Sequence, residues 1–219
     1  MTPPQTLALP TEGDWRIRVV PNLYPALARQ EVVVHGPHHV RSLADVDDDL
    51  LGLVAEAWRL RRDAEPGGHL LALVNEGREA GASLPHSHSQ LAWLEDPPPP
   101  EPTRDGETIV ERDGLVAWSP RVARLPYECA IAPVELERDG LRSDLLAPAL
   151  RLLAELVRRL HALEGPRPLN AWLHEGEAGW RLVLLPRLTV LAGLELGAGV
   201  YVNTLAPEEA AARLRAPTR

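Results

Sequence analysis

The chain has 219 residues, 31 of them acidic and 23 basic, giving a formal net charge of −8, and it holds a single cysteine. That length can bury roughly 70% of the unfolded surface without disulfide staples, which Cys129 alone could not supply. Every basic residue is arginine, so catalysis by lysine is excluded, and with no arginine cluster denser than the pairs Arg61-Arg62 and Arg158-Arg159 a nucleic-acid groove is not expected.

Residues 1–14, MTPPQTLALPTEGD, are rich in proline and polar residues and read as an irregular arm. WRIRVV, residues 15–20, alternates as a strand, PNLYPAL is a proline-bounded turn, and EVVVHG is a second strand. Residues 43–64 carry apolar side chains at helical spacing, with an acidic start and an arginine-rich end that suit the helix dipole. GGHLLALVN reads as a buried strand, and the proline tract at 95–107 as a stiff linker. No apolar stretch reaches the ~20 residues of a membrane helix and no secretory signal opens the chain, so a cytoplasmic location without a membrane partner is expected.

After the tract the order repeats. GLVAWSPRVARLPYECAIAP follows the strand, proline-bounded turn and strand of the first segment, and Pro37 and Pro133 are 96 residues apart (133 − 37). A second helix is expected at residues 145–163, two further strands in LNAWLHEGEAGWRLVLLPRL, and a terminal helix from Pro207 to Arg215. The expected organisation is a tandem duplication, with a first half over residues 1–94, a linker at 95–107 and a second half over 108–219. The fold class expected is α+β, each half an antiparallel sheet with a long helix. Arg181, Leu182 and Val183 stand where the first half has its histidines, so only that half is equipped for chemistry.

That chemistry centres on NEGREAGASLPHSHSQ, residues 75–90. In an extended segment the period of two puts His86, His88 and Gln90 on one face. Upstream, Gly77 and Gly81 sit among small residues where backbone can approach a phosphate and offer N–H groups. Four readings are open: a solvated polar strand face; a partial metal site of His86 with His39; covalent nucleotidyl transfer on His88, whose neutral imidazole is a nucleophile toward phosphorus; and phosphoanhydride hydrolysis. Gln90 favours transfer over hydrolysis, because an amide cannot protonate a leaving group or activate water. His174 with Glu175 reads as a strand end and turn, Cys129 as a buried strand residue, Trp172 and Trp180 as core or interface, and Arg187 as a surface ion pair with reach to a phosphate as its other reading.

VVPNLYPAL, VVVHGPHH, VNEGREAGASLPHSHSQ, RLPYE and AGLELGAGVYVNTLAPEEAAARLR occur in the order seen in the galactose-1-phosphate uridylyltransferase family of the histidine-triad superfamily, and the resemblance runs from about Trp15 to Arg215. It implies a fold of two histidine-triad-like halves. It further implies that His88 attacks the α-phosphorus of a nucleoside diphosphate sugar, with Gln90 as its catalytic partner and Asn75, Gly81 and Ser83 holding phosphates. Asn22 would lie near the nucleoside, with Tyr24 either lining the base pocket or packing the hairpin. The implied partners are a nucleotide sugar and a sugar phosphate or phosphate, and a second copy in a homodimer; no organic cofactor is implied. His39 and His86 match two ligands of the family's structural zinc site. The Cys-x-x-Cys pair that completes that site ahead of the segment resembling TPPQTL has no counterpart, so the two imidazoles are expected to hydrogen-bond instead. Thr189 stands where the uridylyltransferases place a lysine for the sugar phosphate.

Overall fold

The computed structural model describes residues 4–100 and 103–215. The first half contributes strands β1 (Leu7–Leu9), β2 (Ile17–Pro21) and β3 (Gln30–Val34), helix α1 (Asp48–Ala64), then β4 (His69–Glu76) and β5 (His88–Leu94). The second repeats the series with β6 (Gly106–Arg112), β7 (Leu115–Pro120), β8 (Cys129–Pro133), α2 (Leu146–Glu164), β9 (Leu169–His174) and β10 (Arg181–Pro186), followed by α3 (Gly193–Ala198) and α4 (Pro207–Arg215). All pairings are antiparallel, and the ten strands form one sheet in the order β1-β2-β3-β5-β4-β9-β10-β8-β7-β6. That order is the same read from either edge, with β4 and β9 at the centre.

The alternation along the central strands divides the sheet into two faces. Leu70, Ala72 and Val74 of β4, with Leu169, Ala171 and Leu173 of β9, are buried in one apolar cluster with α1 residues such as Trp58 and α2 residues such as Leu153. The intervening side chains, among them Leu73, Asn75, Asn170 and Trp172, are half-buried on the other face, as period-two alternation requires. No helix among the described residues is long and apolar enough to cross a membrane.

Several elements differ from the reading of the letters. The N-terminal arm contains β1, which pairs Leu7 with Val19 and Leu9 with Ile17. The single helix expected over 43–64 is a short 3-10 turn at Leu43–Asp45, an extended residue Val46 (φ −76°, ψ 130°), and then α1 from Asp48. The break has a local cause: the Ser42 hydroxyl accepts the Ala44 N–H and the Glu76 carboxylate accepts the Leu43 N–H, so both donors are satisfied outside any helix. Finally, β6 begins at Gly106, at the end of the proline-rich segment.

Candidate active site

His88 is the first residue of β5 and is only 4% exposed. Its Nδ1 lies 2.8 Å from the carbonyl oxygen of His86. A carbonyl can only accept, so this bond selects the tautomer with hydrogen on Nδ1 and leaves the lone pair on Nε2. His88 lines a cavity of about 690 Å³ together with Asn75, Ser83 and His86 from the first half and His161 and Pro168 from the second.

The loop between β4 and β5 is built on two glycines. Gly77 has φ +83°, and a Cβ there would come within 2.9 Å of the Pro168 side chain, so only glycine lets this loop approach the start of β9. Gly81 is left-handed (φ +88°) and closes a short 3-10 turn over Arg78–Ala80. The N–H groups of Ala80, Gly81 and Ala82 donate to the carbonyls of Gly77 and Arg78 within the loop itself. Those three N–H groups are thus engaged within the loop rather than offered to a phosphate, and the segment's polar side chains on the cavity wall are Asn75, Glu76, Arg78 and Ser83.

Two amides beside His88 are held in defined orientations. The Ala26 N–H donates to Gln30 Oε1 at 2.8 Å, so the Gln30 NH₂ faces Gln90 and donates to its Oε1 at 2.5 Å. Gln90 thus has its oxygen engaged and its own NH₂ as the other end of the amide, though the residue is not on the cavity wall. Asn75 Oδ1 likewise accepts from Asn170 Nδ2 at 2.8 Å, and its nitrogen stands over Gly81.

Behind the strand, Ser87 and Ser89 point the other way. Their hydroxyls lie 3.0 Å from Nδ1 and Nε2 of His35, and Ser89 also accepts the indole N–H of Trp58 at 2.9 Å. Burial lowers the His35 pKa to about 3, with the nearby His88 and His86 adding to the effect, so this ring is neutral. The strand that carries His88 is thereby pinned from below.

The remaining expected residues fall as follows. Asn22 is not on the cavity wall: its Oδ1 caps the turn by accepting the Tyr24 N–H, and its backbone N–H donates to Gln30. Tyr24 is 85% exposed, which removes the reading that it packs the hairpin. His86 donates from Nε2 to the carbonyl of Gly36, and burial, despite that bond, lowers its pKa. Its ring meets His39 edge-on at 5.5 Å between centroids. Among the described residues no third His, Cys, Asp or Glu joins them, and zinc needs three or four such ligands, so this donor set does not fit a closed zinc site. Glu175 accepts the N–H groups of Gly140 and Leu141, which ties a loop rather than facing the cavity. Burial pushes the Cys129 thiol well above its usual range, as befits a strand residue in the core.

His35, Gln30, Asn170 and His161 were not singled out by the sequence. One signal was available for Asn170: it lies 95 residues after Asn75 (170 − 75) and directly opposite it across the β4–β9 ladder. Gln30 has a repeat signal too, since the Arg124 N–H caps onto Glu128 in the second half as the Ala26 N–H does onto Gln30 in the first.

No family model matches the chain. It is 27% identical to an ADP-glucose phosphorylase of Arabidopsis thaliana over 93% of this chain and 75% of that protein. It is 26% identical to a galactose-1-phosphate uridylyltransferase of Thermotoga maritima over 84% of this chain and 73% of the other. The structure of a GalT-like protein from Arabidopsis thaliana superposes with a TM-score of 0.89 at 25% identity, covering 98% of this chain and 88% of that one.

Proposed function

We propose, for a chain that is a divergent member of the galactose-1-phosphate uridylyltransferase-like family of the histidine-triad superfamily, that it moves a nucleoside monophosphate between a nucleotide sugar and an anionic acceptor through a covalent intermediate on His88. The observation that carries the reading is the bond from Nδ1 to the His86 carbonyl, which leaves Nε2 as a nucleophile on a residue lining a cavity large enough for a nucleotide sugar.

In the first step Nε2 bonds to the α-phosphorus as the bond from that phosphorus to the bridging oxygen breaks, and the sugar 1-phosphate leaves with both electrons. In the second, an acceptor phosphate oxygen attacks the same phosphorus and the P–N bond breaks, restoring the neutral ring. Asn75 and Ser83 on the cavity wall would donate to the phosphoryl oxygens, where charge develops, with the Gln90 NH₂ as a further donor on the same face of the sheet. The Gln90 amide cannot protonate a leaving group, which supports transfer over hydrolysis. No step calls for a metal or an organic cofactor.

Two acceptors are considered. The chain has no lysine, and the likeness to ADP-glucose phosphorylase spans more of it than the likeness to the uridylyltransferase, which favours inorganic phosphate over a hexose 1-phosphate. The test is incubation with ADP-glucose and UDP-glucose labelled at the α-phosphorus. Wild-type protein should acquire acid-labile label, His88→Ala should fall by about a thousandfold or more, and a chase with phosphate should release nucleoside diphosphate. Absence of label with every donor rejects the reading, and binding without label would leave a nucleotide-binding module.

A further inference from the structure

The second half has no histidine cluster, yet its Asn170 reaches the loop that borders His88 and its Arg187 reaches Asn170. We propose that Arg187 and Asn170 form a positioning relay that turns the amide donor of Asn75 toward the substrate phosphates, so that the second half sets the phosphate affinity of the first. The proposal rests on the nucleotidyl-transfer reading above.

Donor and acceptor chemistry fixes the orientation. Arginine has N–H groups and no acceptor, so with Arg187 Nη1 3.2 Å from the Asn170 carboxamide it is Oδ1 that faces the guanidinium. The Asn170 NH₂ is then directed at two oxygens, the Ala80 carbonyl and Asn75 Oδ1, each at 2.8 Å. With its oxygen occupied, Asn75 keeps Nδ2 as its outward group, 3.9 Å from where a Cβ on Gly81 would lie. Asn75 shares the cavity wall with Ser83 and His88. A guanidinium two amides away, together with the Ala80 carbonyl, thus holds Asn75 with N–H rather than C=O toward an anion, and a phosphoryl oxygen can only accept.

Among the described residues the Arg187 guanidinium bonds the Asn170 amide and no carboxylate, so the expected surface ion pair is absent, and its Nε is buried without an acceptor. The duplication is broken at this point in a way that suits an anion: Arg187 follows β10 where Glu95 follows β5. The two facing asparagines are related by the repeat, and only one of them is oriented by a cation.

The test compares wild type with Arg187→Met, Arg187→Lys, Asn170→Ala, Asn75→Ala and the Arg187→Met/Asn75→Ala double variant. It reads the dissociation constant for ADP-glucose, the saturated rate of His88 labelling, and the side-chain amide resonances of the free protein. Arg187→Met and Asn170→Ala should weaken binding about tenfold while the saturated rate stays within about threefold. Arg187→Lys should recover part of the loss, and the double variant should bind no worse than Asn75→Ala alone. Binding within about twofold of wild type in Arg187→Met, or losses that add to Asn75→Ala, would overturn the relay and leave the transfer reading intact. Should the wild type neither bind nor become labelled, the transfer reading fails, and the amide spectrum judges the relay alone: an Asn75 resonance unmoved by Arg187→Met rejects it, and a shifted one upholds it.

Discussion

Neighbouring side chains on β5 live in two environments. His88 and Gln90 belong to the face that carries Asn75 and Asn170, while Ser89, and Ser87 just ahead of the strand, turn inward to His35 and Trp58. The inward imidazole titrates against folding. Its pKa falls from an ordinary 6.5 to about 3 on burial, so between those values the unfolded chain binds a proton that the folded chain does not. The stability His35 contributes is complete above about pH 6.5 and declines as pH drops toward 3, by roughly 1.4 kcal/mol for each unit. Urea unfolding followed by tryptophan fluorescence should show the wild type losing on the order of 2 kcal/mol more than His35→Gln between about pH 7 and about pH 5. Parallel losses in the two proteins would remove His35 as the cause. His88 stands on the strand this network holds, so the same variant should also slow labelling of His88.

At the scale of elements, α1 is locked to β3 by a buried ion pair. Arg61 Nε and Nη2 reach the two carboxylate oxygens of Glu31 at 2.8 and 2.9 Å, with Arg61 8% and Glu31 7% exposed. Bidentate geometry makes the pair specific, and removing one partner strands the other charge in the interior. Glu31→Ala should therefore lower stability by about 3–5 kcal/mol in denaturant unfolding, whereas Glu31→Leu with Arg61→Met should recover most of it. A small loss in the single variant would mean that water reaches the guanidinium. The strand and helix that meet here could be read from the letters, because EVVVH alternates and residues 48–64 carry a helical apolar stripe. Elements without such a period escaped: β1 is three residues beyond a pair of prolines, β6 buries only Ile109, and α3 buries nothing. The site divides in the same way. His88, Asn75 and Ser83 follow from spacing along one segment, but His35, Gln30 and Asn170 join them by strand pairing over 52, 60 and 95 residues, which spacing does not report.

Across the whole molecule the two halves are held by a continuous seam rather than by the proline tract that joins them. β4 and β9 pair from Leu73 with Trp172 to Glu76 with Leu169. Beneath them α1 and α2 share one apolar cluster, and arginines of the second half reach backbone of the first, Arg158 to the Ala44 carbonyl at 2.9 Å and Arg151 to that of Asp48 at 3.1 Å. The exposed pairs Arg62–Asp139 and Arg142–Asp63 also cross the seam but contribute little, being open to solvent. Separating the halves would bare a strand edge at β4 or β9 and the facing sides of both helices, surfaces that drive association. A chain opened between Pro98 and Pro99 should consequently reassemble: co-expressed pieces 1–98 and 99–219 are expected to copurify at one-to-one stoichiometry, unfold in one cooperative transition, and label at His88. Expressed singly, each piece should aggregate or remain unfolded. Two pieces that each fold as monomers would show that the seam is dispensable, and the relay from Arg187 to Asn75, which crosses it, would then have no fixed frame on which to act.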